Sequence, residues 1–368
     1  MKILEVHYTT SWAGAERFVV DLSDELSSLA DVTLLTTNDD KIKDNSYYLK
    51  DLKEDVSYIN LHCQSGLRLN TLWKLYKTIK KERPDIVHAH TDAICLFLPA
   101  LLFRKPKYFH TLHNLAEVCL RTRWMKPIYK FFYSNCLIHP ITISGKCDLS
   151  YKKLYNLNNS IEIDNGRIPP KVTAKLSKVK EEIDSKKRHD DDAVFIHVAR
   201  CSKQKNQQLL IDCFKSFLDK GNHAILIMIG AEYDKPENKN ILDSCGKGIY
   251  WLGLKDNVCD YLKCADFFIL SSLWEGLPIS LLEALSFGVI PVCTPAGGIP
   301  DVIKDETIGF VSTSFCFEDF YNTIEQAFKH KSVTDKKHII DYFNKNFSMS
   351  VCARKYYQTF IKLIINHE

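Results

Sequence analysis

The chain has 368 residues, of which 45% are hydrophobic and 26% charged, and a formal net charge of +4. That length exceeds what one compact core accommodates and fits two domains, and the composition is typical of a soluble globular protein. No apolar run approaches the ~20 residues of a membrane span, and the 13 cysteines form no C-x-x-C pair, which favours a reducing cytosol over a disulfide or zinc framework.

The first part of the chain alternates short apolar runs with amphipathic segments. It opens with a predicted strand at 2–8, a turn containing Gly14, and an amphipathic helix with Phe18 and Leu22 on its apolar side. Further strands are predicted at 32–35, 56–61, 86–89, 108–112 and 140–143, and helices at 69–81, 93–103 and 124–133. Strands separated by helices predict a parallel sheet covered on both faces.

The alternation stops in a polar, lysine-rich run that we interpret as a linker at 167–192, after an N-terminal domain at 1–166. It resumes in a C-terminal domain at 193–349, and the tail at 350–368 is predicted to form a helix that returns to the first domain. The predicted fold is α/β, with two Rossmann-like, doubly wound parallel-sheet domains whose strand ends face a shared cleft, where ligands bind by default.

A candidate ligand site lies in the stretch 269–300, which reads as strand, glycine-broken loop, short apolar helix, strand and glycine-rich turn. This order directs the backbone N–H groups of the helix start toward an anion. Two carboxylates, Glu275 and Glu283, flank that start. In the alternative interpretation, Ser280 and Glu283 form a capping box and Glu275 is a solvated loop residue.

A second candidate follows the strand predicted at 193–198, where Arg200 and Lys205 occupy the loop before a helix. Arginine binds phosphate oxygens through two N–H groups, lysine acts as a point charge, and the helix dipole adds to both. Such a set can hold a diphosphate without a metal. The alternative is a pair of solvated loop cations.

Histidines end two predicted strands of the first domain, at His88 and His90 and at His110 and His113. A histidine at a strand end can hydrogen-bond a hydroxyl or a phosphate. The order His88, His90, Asp92 also begins like the H-x-H-x-D-H motif of zinc hydrolases. An alanine replaces the last histidine of that motif, so we expect polar strand ends and no metal.

Taken together, these features resemble the family 4 retaining glycosyltransferases of the GT-B fold, over nearly the whole chain. The resemblance rests on the E-x7-E motif of Glu275 and Glu283, the R-x4-K motif of Arg200 and Lys205, the A-G-A-E opening around Gly14, the segment V-H-A-H, and the segment F-G-V-I-P-V-C-T-P-A-G-G-I-P-D-V-I. It implies two GT-B domains and transfer of a sugar from a nucleotide sugar, with neither a cofactor nor a metal.

The resemblance also implies a role for each matching residue. Arg200 and Lys205 would bind the donor diphosphate, Glu283 the ribose hydroxyls, Glu275 the donor sugar, and His113 the donor sugar or its phosphate. The implied catalytic residues are Glu275, His113, Arg200 and Lys205. The implied donor-binding residues are Gly14, Arg200, Lys205, Glu275, Gly276, Leu277, Pro278 and Glu283.

The chain departs from the family pattern at two positions. Ala13 stands where many members have a second glycine, and Asn206 follows the motif lysine where glycine is common. Chemically, Arg200, Lys205 and helix dipoles would stabilise the negative charge that grows on the leaving diphosphate. Retention by double displacement or by same-face attack stays open, and no nucleophile is assigned.

Residues 101–150 contain eight Lys/Arg against two Asp/Glu, and the segment 121–133 interleaves four cations with five aromatic residues. Such surfaces lie at membrane interfaces, with rings among headgroups and cations on anionic lipid. The predicted membrane or acceptor face consists of Arg121, Arg123, Trp124, Lys126 and Lys130. In the alternative, this helix buries its rings in the core.

The sequence therefore predicts a cytoplasmic, metal-independent, retaining glycosyltransferase, with peripheral contact to the inner membrane leaflet and no nucleic-acid partner. We expect it to move a hexosyl or N-acetylhexosaminyl group from a UDP- or GDP-sugar to a saccharide or lipid-linked acceptor in O-antigen, capsule or lipopolysaccharide synthesis. We expect no secretion, because Glu5 and His7 interrupt the N-terminal apolar run. The alternatives are a nucleotide-sugar epimerase of the same fold, a glycoside hydrolase using Glu275 and Glu283, and a non-catalytic nucleotide-sugar binder.

Overall fold

The computed structural model describes residues 1–11, 13–42, 45–64, 68–90, 92–120 and 122–365. The chain divides into two units. The first contains Met1–Ile168 together with Phe347–Glu368, and the second contains Pro169–Asn346. Among the described residues, no helix combines the length and the apolar character needed to cross a bilayer.

The first unit is built on a seven-stranded sheet in which every neighbouring pair is parallel. Its strands are β1 (Lys2–His7), β2 (Asp31–Asn38), β3 (Ser57–Cys63), β4 (Ile86–His90), β5 (Lys107–Leu112), β6 (His139–Thr142) and β7 (Ile161–Glu162). Its first helices are α1 (Gly14–Leu26), α2 (Leu69–Glu82), α3 (Ile94–Leu102), α4 (Ala116–Cys119), α5 (Lys126–Ser134) and α6 (Gly145–Tyr155). The strand order is β3-β2-β1-β4-β5-β6-β7, so the order reverses between β1 and β4.

The second unit contains a six-stranded parallel sheet in the order β10-β9-β8-β11-β12-β13. Its strands are β8 (Ala193–Val198), β9 (Ala224–Ile229), β10 (Ile249–Trp251), β11 (Phe267–Leu270), β12 (Ile290–Cys293) and β13 (Phe310–Val311). Its helices are α7 (Leu176–Asp184), α8 (Gln207–Asp219), α9 (Lys239–Asp243), α10 (Val258–Cys264), α11 (Ile279–Ser286), α12 (Ile299–Val302), α13 (Phe317–His330) and α14 (Lys336–Asn346). Here the order reverses between β8 and β11.

The central strands are continuous apolar runs because helices cover both faces of a parallel sheet. All six residues of β9 are buried, as are all four of β11 and all four of β12. The predicted pair of doubly wound parallel sheets is therefore confirmed. In such sheets, ligands bind outside the carboxyl ends of the strands where the strand order reverses. Ligands are therefore expected at the loops after β1 and β4 in the first unit and at those after β8 and β11 in the second.

The segment predicted as a linker is structured and belongs to the second unit. It contains α7, whose Val179 and Ile183 are buried, and α7 packs against α10. The Thr173 hydroxyl and backbone N–H both donate to the buried Asp260 carboxylate, at 2.6 and 2.7 Å. The charged composition of this run hid a short helix, because two apolar residues one turn apart suffice to anchor it.

The chain returns to the first unit through its last helix, α15 (Met349–Ile365), which packs against α1. Its approach is fixed by Arg167, whose backbone bonds to Phe347 and Met349 at 2.9 and 3.1 Å and whose guanidinium pairs with the buried Asp21 carboxylate. The predicted return of the C-terminal helix is confirmed. Sequence reasoning missed α6, which begins after Ser144, whose hydroxyl accepts from the Cys147 N–H.

Candidate functional site

The loop after β8 carries Arg200 and Lys205 and is held from three sides. The Gln207 side chain donates to the Arg200 carbonyl at 2.9 Å, and the Ser271 hydroxyl donates to the Lys205 carbonyl at 2.8 Å. On the remaining side, Gly230 lies so close that a Cβ there would be 1.9 Å from the Ala199 carbonyl oxygen. The loop backbone is therefore positioned by the ends of β9 and β11.

The backbone conformation of Asn206 explains why asparagine can replace the glycine that is common at this position. It precedes α8 in the left-handed conformation, with φ 49° and ψ 48°. Glycine adopts this conformation most easily, and asparagine is one of the few other residues that tolerate it. The substitution therefore preserves the turn that directs the loop into α8.

Lys205 and Glu275, predicted from separate motifs, form an ion pair. The Lys205 Nζ lies 2.5 Å from Glu275 Oε1, and the two side chains are only 14% and 7% exposed. The amide of Gln204 donates to the Trp274 carbonyl at 2.8 Å and lies 3.4 Å from the other Glu275 oxygen. Arg200 on the same loop is exposed, and its guanidinium forms no hydrogen bond or ion pair with any residue of the described ranges.

The backbone of the glycine-rich turn after β12 packs directly against the backbone of the Glu275 loop. The Gly298 N–H donates to the Gly276 carbonyl at 2.7 Å. At Gly297, φ is 55° and a Cβ would lie 1.8 Å from the Glu275 carbonyl oxygen. Only glycine fits at this position, because both the backbone conformation and the close approach exclude a side chain.

Helix α11 starts at Ile279, directly after the Glu275 loop, with Pro278 as its N-cap residue. The capping-box interpretation of Ser280 and Glu283 is wrong, because Ser280 is already the second residue of the helix and no side chain caps it. Among the described residues, nothing accepts a hydrogen bond from the N–H of Ile279 or Ser280. These two donors can therefore bind an anion.

The other predicted donor-binding residues lie around this helix or at the corresponding loop of the first unit. Gly276 and Leu277 are buried in the Glu275 loop, and Glu283 lies on α11, partly exposed. Gly14 is the exposed first residue of α1, preceded by Ala13 in an extended conformation. The second unit thus gathers two cations, a paired carboxylate and a helix start near the β8–β11 reversal.

In the first unit, His113 follows β5 and is linked to buried groups beneath it. Its Nε2 lies 3.0 Å from Nδ1 of His90, whose Nε2 lies 2.7 Å from Oε2 of Glu5. His88 Nδ1 lies 2.9 Å from the same oxygen, without the alignment of a hydrogen bond. His110 points elsewhere and bonds to the Tyr133 hydroxyl at 2.8 Å.

The burial of this cluster sets its charges. Burial alone would raise the pKa of Glu5, but its interactions with His88 and His90 lower that pKa to about 2. Burial lowers the pKa of His90 to about 3 and also lowers that of His113. At neutral pH, an ionised carboxylate therefore faces a neutral His90, and His113 is neutral as well.

The predicted H-x-H-x-D pattern does not converge on one point. Glu5, His88 and His90 lie close enough to share an ion. Asp92, however, accepts from the Ile94 N–H at 3.0 Å and from the Tyr129 hydroxyl through the same oxygen. The zinc-hydrolase arrangement is therefore absent from these three motif residues.

The aromatic residues of the segment predicted as a membrane face divide into two groups, one buried in the core and one exposed. Three rings are buried, those of Tyr129, Phe132 and Tyr133. Trp124 is 69% exposed and Phe131 51% exposed. The cations Arg123 and Lys126 are exposed and Lys130 is partly exposed, whereas Arg121 lies outside the described residues.

Sequence reasoning missed three residues that shape these sites. Glu5 was noted only as an interruption of an apolar run, yet a carboxylate inside a central strand is itself a signal, because buried charges need partners. Gln204 and Gln207 carried no signal, since their roles depend on contacts with the loops that follow β11 and β9. The paired glycines after β12 were quoted within a motif, without their role behind Glu275.

Two family models match the chain. The model for group 1 glycosyl transferases matches residues 179–346, and the model for Glycosyltransferase Family 4 matches residues 12–156. The chain belongs to the family 4 glycosyltransferases. The matched segments contain the Arg200 and Glu275 loops of the second unit and the strand end at His113 of the first unit.

This family 4 glycosyltransferase is similar to a curated Escherichia coli protein, UDP-Gal:alpha-D-GlcNAc-diphosphoundecaprenol alpha-1,3-galactosyltransferase. The two are 28% identical over 296 residues, which cover 76% of this chain and 73% of the relative. Among solved structures, a glycosyltransferase from Rickettsia africae matches with a TM-score of 0.82 and 18% identity, over 99% of this chain and 98% of that one. HepE of Anabaena in complex with UDP and glucose matches with a TM-score of 0.80 and 17% identity, over 98% and 100%. The two units have the GT-B fold.

Proposed function

We propose that this glycosyltransferase moves a hexosyl or N-acetylhexosaminyl group from a UDP-sugar to a saccharide or lipid-linked acceptor in surface-polysaccharide synthesis, with retention and without a metal. The observation that carries the proposal is the arrangement after β8 and β11. There the exposed Arg200 shares a loop with Lys205, and Lys205 is paired with Glu275. A cation pair beside a helix start suits a diphosphate, and a carboxylate in the adjacent loop suits sugar hydroxyls.

The chemistry follows from where charge develops. When the bond between the sugar and the diphosphate breaks, negative charge grows on the leaving group. Arg200, Lys205 and the N–H groups of Ile279 and Ser280 stabilise that charge. One such preorganised donor typically contributes ~3 kcal/mol to the lowering of a barrier. Two protein cations also remove the need for a divalent ion, which is the physical basis for proposing a metal-independent reaction.

The UDP donor and the pathway are supported by the relatives. The similar E. coli enzyme is named for a UDP-Gal donor and a diphosphoundecaprenol acceptor, and the similar Anabaena structure holds UDP and glucose. Thermal-shift assays with UDP, GDP and ADP sugars test the base, since a ligand that binds only the folded state raises the melting temperature. A larger shift with GDP-sugars than with UDP-sugars would reject UDP.

Turnover with the donor identified in this way and a lipid-linked acceptor tests the transfer reaction, its retention of configuration and its independence of metals. We expect sugar transfer with the donor's anomeric configuration in the product, read by NMR, and unchanged rates after EDTA treatment and removal of metals. Inverted product or strong inhibition by EDTA would refute retention or metal independence, respectively. An epimerase would convert the donor without an acceptor. A hydrolase is disfavoured because Glu275 already binds the Lys205 ammonium group, which conflicts with a role as proton donor.

We further propose that the first unit docks on an anionic membrane through Arg123, Trp124, Lys126 and Lys130. Exposed rings beside exposed cations suit the headgroup region, where aromatic groups insert and cations bind anionic lipid. The exposed Phe131 extends the same helix surface. The buried rings of α5 anchor the helix to the core, so that its outer side is free for lipid.

Flotation with vesicles containing phosphatidylglycerol tests this docking. The double variant Arg123→Glu/Lys126→Glu should lose most vesicle binding. The control Lys178→Glu/Lys180→Glu carries the same charge change on exposed residues of α7, and it should bind like the wild type. Equal binding by the wild type and both variants would reject the proposed face.

A further inference from the structure

A line of polar groups runs through the buried centre of the first sheet and ends at His113. Glu5 on β1 lies beside His88 on β4 in the strand register. Glu5 and His88 are fully buried, and His90 is 2% exposed. From this centre, contacts of 2.7 Å between Glu5 and His90 and of 3.0 Å between His90 and His113 lead outward. Burying an ionised carboxylate in a central strand carries a large desolvation cost, so we expect Glu5 to have a role in this network.

The directions of these hydrogen bonds follow from elementary chemistry. A carboxylate only accepts, so His90 must donate through Nε2. In a neutral imidazole the other nitrogen then accepts, so Nδ1 of His90 accepts a hydrogen bond from the Nε2–H group of His113. The lowered pKa values of Glu5, His90 and His113 are consistent with these charge states. The proton of His113 therefore sits on Nε2, and its Nδ1 carries a lone pair.

We propose that Glu5 and His90 are positioning residues that hold His113 as the Nε2-protonated tautomer, so that its Nδ1 accepts a hydrogen bond from a hydroxyl of the sugar substrate. This inference rests on the proposed function. It narrows the role of His113, which the family resemblance left between the donor sugar and its phosphate. A lone pair accepts from a hydroxyl but is repelled by the oxygens of an ionised phosphate.

The surroundings of His113 fit this role. The residue is partly exposed, and its Nδ1 forms no hydrogen bond with any described residue. The Phe18 ring packs edge-on against it, with centroids 5.1 Å apart. Together with the bond to His90, this contact fixes the plane of the imidazole and leaves one nitrogen available.

A second branch of the network provides a control. Nε2 of His88 lies 2.7 Å from the Thr111 hydroxyl, which lies 3.0 Å from the Tyr356 hydroxyl on α15. This branch is equally buried, and its two hydrogen bonds join His88, Thr111 and Tyr356. Loss of the Tyr356 hydroxyl should weaken packing without changing the tautomer of His113.

A shared metal ion is the competing explanation of the same cluster. Two ligands of a tetrahedral zinc ion, bound at ~2.0 Å, lie about 3.3 Å apart. The distances from Glu5 Oε2 to the His88 and His90 nitrogens are 2.9 and 2.7 Å. The latter is the length of a charge-assisted hydrogen bond. The geometry therefore favours a proton over a metal between Glu5 and His90.

The test is the tautomer of His113 in the full-length protein, measured by two-bond ¹H–¹⁵N correlation after ¹⁵N-histidine labelling. The signals of His113 are assigned by their loss in His113→Gln. We expect a protonated Nε2, an unprotonated Nδ1 and no titration between pH 6 and 8, because burial and then the neighbouring His90, His7, His88 and His110 all lower the pKa of His113. A protonated Nδ1, titration near pH 6.5, or one tightly bound metal per chain by elemental analysis would overturn the proposal.

Variants then test the positioning. His90→Phe, or His90→Leu if the first does not fold, should give a mixture of His113 tautomers, whereas Tyr356→Phe should keep the wild-type tautomer. We expect kcat/KM to fall about 10- to 100-fold in the His90 variant, because a misoriented contact raises the barrier. An unchanged tautomer in both variants would refute the role of His90. The spectra do not depend on turnover, so failure of the proposed transfer reaction is distinguishable from failure of this inference.

Discussion

The ion pair of Lys205 and Glu275 makes a quantitative prediction about stability. Removing one partner of a fully buried pair costs about 3–5 kcal/mol, because the other charge is left buried and unpaired. Here the side chains are 14% and 7% exposed, so water can reach the lysine in part. After Lys205→Met, the one remaining hydrogen-bond partner of the Glu275 carboxylate among the described residues is the Gln204 amide, 3.4 Å away. We therefore expect Lys205→Met to lower the free energy of unfolding by about 2–3 kcal/mol.

Urea unfolding of a double-mutant cycle measures this effect. Lys205→Met, Glu275→Gln and the double variant are compared with the wild type, with tryptophan fluorescence as the probe. Because the double variant leaves no unpaired charge, we expect a coupling energy of about 1–2 kcal/mol. The control is Lys175→Met, which breaks an exposed pair with Asp256 and should cost less than about 1 kcal/mol. If the two single effects simply add, Lys205 and Glu275 do not act as a pair and the reasoning fails.

Three further predictions concern activity, backbone geometry and pH. Arg200→Ala should lower kcat/KM about 10²- to 10³-fold, because a donor to the leaving group is lost, with urea unfolding unchanged because Arg200 is exposed. Gly297→Ala should lower the free energy of unfolding by at least about 1–2 kcal/mol, from the left-handed conformation alone, and should weaken nucleotide-sugar binding by displacing Glu275. Burial lowers the pKa of His90 to about 3 and of His197 to about 4, so urea midpoints should fall as pH drops from 6.5 to 4.

The sign of the pH effect follows from proton linkage. Below pH 6.5 the unfolded histidines bind protons that the buried native rings do not, so stability is full above pH 6.5 and declines by ~1.4 kcal/mol per pH unit for each group. Constant midpoints over that range would contradict the burial argument.

For Arg200→Ala, wild-type turnover would remove the arginine from the mechanism. For Gly297→Ala, wild-type stability would show that the turn does not constrain the Glu275 loop; Gly221→Ala, also at positive φ but with open space around it, is the control for strain alone.

The sequence was most informative where chemistry and topology coincide. Lys205 and Glu275 follow two apolar strands in the sequence, and parallel strands bring such ends to one edge of a sheet, where the two residues form their ion pair. The sheets could be predicted because short, uninterrupted apolar runs separated by helical segments are typical of buried parallel strands.

The sequence was least informative where a role depends on contacts distant along the chain. Glu5 gains its meaning from His88 and His90, more than 80 residues away, and no local pattern announces that strand register. Helix α7 was hidden because only Val179 and Ile183 anchor it in a charged run. Ser280 fitted a capping box in sequence, but the helix already starts at Ile279, with Pro278 as its N-cap residue.

Calorimetric titration with UDP and with uridine tests the central claim most directly, because the two ligands differ only in the diphosphate. A charge-assisted hydrogen bond contributes about 1.5–3 kcal/mol, so we predict that Arg200→Ala weakens UDP binding by about 10- to 100-fold and leaves uridine binding unchanged. Equal UDP affinity in Arg200→Ala and the wild type would contradict the assignment of the loop after β8 to the donor diphosphate.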